Sequence, residues 1–421
     1  MICRCGSIFT ARDNDMETSR LLIRNFGPVR EAEIVFDRFT FFIGEQGSGK
    51  STVLKLYSLF RWLEKALARH QITEKYLSGY SRFRKTYCAF NGLTSYFQDD
   101  SEIAFEGPVY RFHYVSGKLS VQSVEQDDDM LLSLAKVMYV PAERVILGTV
   151  DHPSRLHGLS ESLRTFDEEF ENAKSRLSEY VLPFGDAKFK YDRLNDIPSI
   201  QTSQYEVRLS EASSGYQSST SLLIVSRYLS RMVKQRSDHS SDLDPAAFKA
   251  LQHDVEKIMN DASLSEDVRS ASLRSISSRY SYSSFINIVE EMELNLFPTT
   301  QRMVLFELIA DVHTMENNQL ILSTHSPYVI TDTGLAVKAW QVYQKTSDVG
   351  IRKKICRIVP EESMIDPAHL HIYEMKDGGI HLLENYQGIP SDSNYLNNLL
   401  AQENEDFDTL MDLEDEIDTE K

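Results

Sequence analysis

Cysteine is scarce in this sequence of 421 residues, and Cys3, Cys5, Cys88 and Cys356 form neither a disulfide framework nor a repeated CxxC metal knot. No apolar run reaches the ~18 residues that a membrane-spanning helix needs, and the N-terminal segment lacks the apolar stretch of a secretory signal. A surplus of basic residues is missing too. The formal charge of −18 excludes a surface coated for non-specific nucleic-acid binding, although not a local basic groove. These absences imply a soluble, cytoplasmic protein with no membrane partner. The 41% of hydrophobic residues is spread along the chain, enough to bury a sizeable core.

Residues 1–16 read as a disordered leader holding the Cys3–Cys5 pair, with Met1 and Met16 both open as the true start. From Leu21 to Ile43 three β-prone stretches are broken by Gly27-Pro28 and Asp37-Arg38. The third runs into glycines and then into a helix with apolar residues at Val53, Leu54, Tyr57, Phe60, Leu63 and Leu67. Residues 71–135 are expected to form a β-rich insertion with a hairpin at Ser116-Gly117, and MYVPAER a buried strand ending at Pro141. The pattern predicts helix over 160–190, strand over 200–210 and a helix after Gly215. A polar helical insertion is expected over 234–280. The stretches FINIVEEME and QLILSTHS then flank a helical segment, and strand, helix, strand in that order suits a parallel α/β sheet. IYEMKDGGIHLLE reads as a hairpin. Residues 396–421 are an acidic tail in which Phe407, Leu410, Met411 and Leu413 punctuate the charges, either a solvated end or a short amphipathic docking helix.

Four short segments carry chemistry. Gly44-Glu45-Gln46-Gly47-Ser48-Gly49-Lys50-Ser51, followed by Thr52, fits G-x-x-x-x-G-K-[ST] between a β run and an amphipathic helix. Its glycines turn backbone N–H groups toward phosphates, Lys50 offsets β/γ charge, and the Ser51 hydroxyl can ligate Mg²⁺. The apolar strand FINIV ends in Glu290 and Glu291, which places acids where ligands bind in open α/β sheets. Glu290 would serve the Mg²⁺ and Glu291 would orient or deprotonate the attacking water. LILST ends in His325, placed to hydrogen-bond a γ-phosphate. Ser213-Ser214-Gly215 precede a helix, where hydroxyl and N–H groups make an anion site.

In this order the four segments resemble the heads of ABC-type ATPases, with loop, signature motif, acidic strand and switch histidine in sequence. LLIRNFGPVREAEIVF and VEEMELNLFPTTQ bring the resemblance closest to chromosome-maintenance and double-strand-break-repair heads and to the overcoming-lysogenization-defect ATPases, and MYVPAER is similar to a strand of bacterial defence ATPases. The resemblance implies an α/β head over 17–395, with a mostly parallel sheet, an antiparallel β subdomain and a helical insertion. It implies ATP and Mg²⁺ as ligands, and a homodimer or higher oligomer in which Ser214 and Gly215 of one copy clamp the γ-phosphate held by another. Tyr216 replaces the usual second signature glycine and Met292 the usual proline. Gln98 in SYFQDD is a candidate for the family's glutamine loop, the alternative being an ordinary surface glutamine with Glu143 and Arg144 serving near the site instead.

Three functions stay open. One is a sensor, motor or scaffold ATPase of an anti-phage or DNA-repair complex acting with a separate effector such as a nuclease. The second is a nucleotide-gated, antitoxin-like scaffold without DNA contact, and the third a transporter engine. No carboxylate cluster on a strand end follows His325, so no nuclease activity is expected in this chain. Basic residues gather at Arg227, Arg231, Lys234 and Arg236 and at Arg82, Arg84 and Lys85, either as solvated faces or as DNA contacts.

Overall fold

The computed structural model describes residues 18–124, 134–151, 153, 156–238, 253, 255–258 and 282–419. The Cys3–Cys5 pair and most of the 234–280 segment lie outside these residues.

The three β-prone stretches near the N-terminus divide between two sheets. Ser19–Phe26 (β1) and Val29–Phe36 (β2) pair antiparallel across Gly27-Pro28, with Phe26 opposite Val29. Phe39–Gly44 (β3) is buried along its whole length, the pattern of a strand covered on both faces, and joins a different, mostly parallel sheet. Lys50–Ala68 (α1) buries the six expected apolar positions and also Leu56, Leu59 and Ala66 on its other side. It is covered nearly all round because it lies between the two sheets. Even its ion pair is buried: Arg61 bonds Glu64 at 2.8 Å, and Glu64 accepts the backbone N–H groups of Val109 and Tyr110.

Residues 71–135 are β-rich only in their second half. Glu74–Leu77 (α2) and a helical turn over Phe83–Cys88 come first, followed by Phe97–Glu106 (β4), Tyr110–Val115 (β5) and Lys118–Ser123 (β6). The expected hairpin is present, with Val115 opposite Lys118 and left-handed backbone at Ser116 and Gly117. Its strands extend the sheet that β1 and β2 begin, in the order β2-β1-β4-β5-β6.

Ala135–Val140 (β7) leads through Val145–Thr149 (α3) to Glu161–Arg176 (α4), whose N-cap Ser160 accepts the Leu163 N–H. The helix expected over 160–190 stops at Arg176. A small antiparallel sheet of Glu179–Val181 (β8), Lys188–Asp192 (β9), Ile197–Gln201 (β10) and Glu206–Arg208 (β11) follows, because the Tyr, Val, Phe and Ile residues there favour extended backbone. Ser214–Asp238 (α5), Ser284–Glu290 (β12), Pro298–Val312 (α6), Gln319–Ser323 (β13), Pro327–Gln344 (α7) and Val349–Cys356 (α8) come next. The chain closes with Leu370–Lys376 (β14), Gly379–Leu382 (β15) and Tyr395–Thr419 (α9). The hairpin β14–β15 is therefore not peripheral, since β14 pairs in parallel with β3, the strand that runs into the glycine loop.

The central sheet runs β15-β14-β3-β13-β12-β7, parallel except at β15. Period-two alternation divides its side chains between two cores. Phe39, Phe41, Phe285 and Val289 face the cluster shared with α4, α5, α6 and α7, whereas Phe42, Ile286 and Ile288 face α1 and the antiparallel sheet. Phe60 on α1 is fully buried there, with ring centroids 5.0 Å from Phe105 and 5.3 Å from Phe112. Phe60→Ala is expected to destabilise the fold by about 3–5 kcal/mol, read from a denaturant midpoint that falls while its slope is unchanged. A midpoint within error of wild type would show that α1 does not lock the two sheets.

Candidate functional site

The parallel strands end on one side of the sheet, and the residues singled out in the sequence follow those ends: 44–52 after β3, 290–293 after β12, 324–326 after β13 and 141–144 after β7. Open α/β sheets bind ligands in such a crevice.

The loop after β3 takes its shape from glycine. Gly44, Gly47 and Gly49 have φ of 142°, 77° and 105°. A β-carbon on Gly49 would lie 2.6 Å from Val29 Cγ2, and one on Gly44 would strike the Met375 carbonyl. Glu45, Gln46, Gly47 and Ser51 are exposed, and Ser48 is half-buried. The backbone thus opens toward solvent at the N-terminus of the 19-residue helix α1, an arrangement that binds anions. Lys50 is only 5% exposed. Its Nζ donates to the carbonyls of Gly44 at 2.8 Å and Glu45 at 2.7 Å, so the cation is folded onto its own loop. Burial lowers its pKa to about 8 against the raising effect of Glu291, Glu293, Glu290 and Glu45.

The acids arrive on a turn with strained backbone. Glu291 has φ of 44°, and its N–H donates to the Ser323 carbonyl at 2.9 Å, which ties the β12 turn to β13. Glu290 is 5% exposed, and its Oε2 accepts the Ala142 N–H at 3.3 Å. Among the described residues Glu290 Oε1 has no hydrogen-bond partner, and the buried Tyr139 hydroxyl beside this carboxylate has its pKa pushed well above the ordinary value by burial, by the Glu290 charge and by hydrogen bonding to Glu290. His325 Nε2 lies 3.8 Å from Glu291 Oε1. Burial, and then Lys50, lower the His325 pKa, which favours neutral imidazole.

Three contributors were not evident as a unit in the sequence. Glu293 accepts the His325 N–H at 2.6 Å, and burial raises its pKa against the lowering effect of hydrogen bonds from the His325 and Glu293 backbone and from Thr324. Arg144 donates to the carbonyls of Glu290 and Glu291 at 2.6 and 2.7 Å, whereas its neighbour Glu143 is exposed. At the far edge, the Tyr395 hydroxyl bonds Glu45, and the Tyr395 N–H donates to Glu374 at 2.5 Å, so the root of α9 rests on the loop. The spacing between VPAER and VEEME is too long for any local pattern to pair them.

Ser214 and Gly215 do not join this crevice within the chain, and no hydrogen bond links them to the loop at 44–52. Ser214 is exposed at the start of α5, and Gly215 faces Asn295 and Leu296. Ser218, one turn on, donates its hydroxyl to the Leu294 carbonyl at 2.7 Å. Tyr216, in the place of the usual glycine, stacks on Phe184 with centroids 5.3 Å apart. Gln98 is exposed on β4. Arg227 is held by Glu307 and by Asp311 at 3.0 Å, so it does not extend a basic surface, whereas Arg82, Arg84, Lys85, Arg231 and Lys234 are exposed.

Residues 16–101, which include the glycine loop and its flanking strands, match the AAA ATPase domain family. No curated protein matches the chain significantly. Solved structures similar to it include an SMC head bound to the C-winged helix domain of ScpA, at 12% identity over 87% of this chain and 97% of that one with a TM-score of 0.39. The SMC head domain from Thermotoga maritima is 13% identical over 88% and 99% with a TM-score of 0.33. The recombination mediator protein RecF is 10% identical over 87% and 99% with a TM-score of 0.31.

Because Lys50 carries its charge only below about pH 8, affinity for a nucleoside triphosphate is expected to be flat from pH 6.5 to 7.5. Above pH 8 it should fall by as much as roughly tenfold per unit. Calorimetric titrations across this range check it, and Lys50→Ala should bind weakly with no such fall. A wild-type affinity that stays unchanged to pH 9.5 would refute the lowered pKa of Lys50, and a Lys50→Ala protein that binds as tightly as wild type would refute its placement against phosphate.

Proposed function

We propose that this chain binds and hydrolyses ATP in the manner of an ABC-type ATPase. The observation that carries the reading is the gathering of Lys50, Glu290, Glu291 and His325 at the ends of adjacent strands β3, β12 and β13. In this reading Gly44 to Thr52 cradle the phosphates, and Lys50 leaves the Gly44 and Glu45 carbonyls for the β/γ oxygens. The Ser51 hydroxyl and Glu290, with its unpartnered buried oxygen, suit the hard, oxygen-seeking Mg²⁺. That ion would offset phosphate charge when bound. Glu291 orients a water and accepts its proton as the water oxygen bonds to the γ-phosphorus and the bond to the ADP oxygen breaks. Neutral His325 hydrogen-bonds the γ-phosphoryl group.

The exposed Ser214 and the backbone of Gly215 complete the pocket of a second copy, so ATP joins two subunits. Glu291→Gln is expected to keep ATP affinity, slow hydrolysis by about 10²-fold or more, and raise the molar mass seen by light scattering with ATP but not with ADP. A strictly monomeric Glu291→Gln protein at high concentration with ATP would remove the two-copy mechanism and leave a nucleotide-binding fold.

The setting we infer is a cytoplasmic anti-phage or DNA-repair complex in which this ATPase is sensor, motor or scaffold for a separate effector such as a nuclease, with DNA as a further ligand. What supports a separate partner is α9, where Phe407, Leu410, Met411, Leu413 and Ile417 are exposed and no basic residue lies between Tyr395 and Thr419. A basic protein surface with an apolar groove complements it. Deleting residues 403–421 is expected to leave ATP turnover unchanged and abolish co-purification with the protein encoded beside it. Retained co-purification would exclude α9 as the docking element, and Mg²⁺- or Mn²⁺-dependent DNA cleavage by the pure chain would exclude the separate-nuclease arrangement.

A further inference from the structure

Arg144 is fully buried, and its guanidinium donates only to main-chain carbonyls from three separate elements. Nε donates to Ser218 in the first turn of α5 at 3.2 Å, Nη1 to Pro141 at 3.2 Å and Glu290 at 2.6 Å, and Nη2 to Glu291 at 2.7 Å. The exits of β7 and β12 and the start of α5 are therefore joined through one planar fork. A buried cation is an expensive way to join backbone when an apolar side chain would fill the space. What it adds is direction. The Glu291 carbonyl belongs to a residue with φ of 44°, a conformation that L side chains rarely adopt, and fixing that carbonyl fixes where the Glu291 side chain leaves the turn. At the other end, the Ser218 carbonyl moves with the N-terminus of α5, which carries Ser214 and Gly215.

We propose that Arg144 is a positioning residue that links the first turn of α5 to the Glu291 carboxylate, so that engagement of Ser214 and Gly215 is transmitted to the water-activating group. This rests on the assignments of Glu291 and of Ser214 and Gly215 above. The groups facing the fork fit the role. The carboxylates of Glu290, Glu291, Glu293 and Glu143 all act on Arg144 and offset the burial that lowers its pKa to about 10, so it remains a cation at neutral pH. Gly148 supplies the close approach that keeps α3 on α5, since a β-carbon there would lie 2.7 Å from Gln217 Cα.

The test uses the full chain with Arg144→Lys, which keeps the charge and loses the fork. We expect ATP affinity and KM within about twofold of wild type and kcat reduced by roughly 10–100-fold, the range for a supporting residue that orients a reacting one. In a Glu291→Gln background the same change should slow residual turnover by less than about threefold, because residues that act as a unit are not additive. If Glu291→Gln slows hydrolysis but Arg144→Lys leaves kcat unchanged, lowers ATP affinity in parallel, or multiplies fully with Glu291→Gln, the link is overturned while the Glu291 assignment stands. If Glu291→Gln does not slow hydrolysis, that assignment fails first and the link with it. Should Arg144→Lys not fold, Gly148→Ala, which pushes α3 against α5 without touching the crevice, carries the same expectation of reduced kcat at constant affinity. Unchanged kcat in that variant would overturn the proposal.

Discussion

Two buried cations set against one acidic turn organise this molecule. Lys50 enters from the β3 loop and Arg144 from the end of β7, and Glu290, Glu291 and Glu293 face both. Neither cation would be tolerated alone at such burial, and neither would a turn bearing three carboxylates. The two answer the charge differently. Arg144, with its rigid fork, is committed to carbonyls and is structural in geometry. Lys50 lies on a flexible stem, held by two carbonyls of its own loop, and can be drawn off by a stronger anion.

The sheet makes that opposition possible. Parallel pairing of β3, β13, β12 and β7 puts the carboxyl ends of all four strands on one edge, and in-register pairing of β12 with β13 sets Glu290 opposite Ser323. His325 follows two residues later, 3.8 Å from Glu291. The burial that α1 experiences between two sheets holds the loop at its N-terminus in place, because the helix cannot shift without disturbing the core it shares with both sheets.

Two helices lead away from the crevice, and each is anchored near it. Within α5, Ser226, Arg227 and Ser230 meet the buried Asp311 of α6, and Ser226 also accepts from Asn287 of β12, so the helix is tied to the acidic strand at its middle as well as at its first turn. The other helix, α9, starts on Glu45 and Glu374 and carries its apolar residues into solvent.

Local pattern was sufficient for the glycine loop, for the amphipathic α1, for the hairpin at Ser116-Gly117 and for the buried strands that end in Glu290 and His325, since each depends on residue types within a few positions of one another. The end of α4 at Arg176 is not marked by local pattern, because helical and extended periods are hard to separate where short apolar runs follow a helix. Whether the end of the chain was a solvated tail or a helix also stayed open, since dense charge masks an apolar stripe. It did not reveal that β14 lies beside β3, that Arg144 holds the Glu290–Glu291 turn from 146 residues away, or that Glu293 grips the His325 backbone. Those are partnerships across the sheet. A strand carries no mark of which strand it will pair with, and a buried arginine looks like any other until the carbonyls that satisfy it are brought around it. Sequence determined the chemistry available at each strand end, and the tertiary structure decided which of those groups face one another, because only chain packing sets distances between residues far apart in sequence.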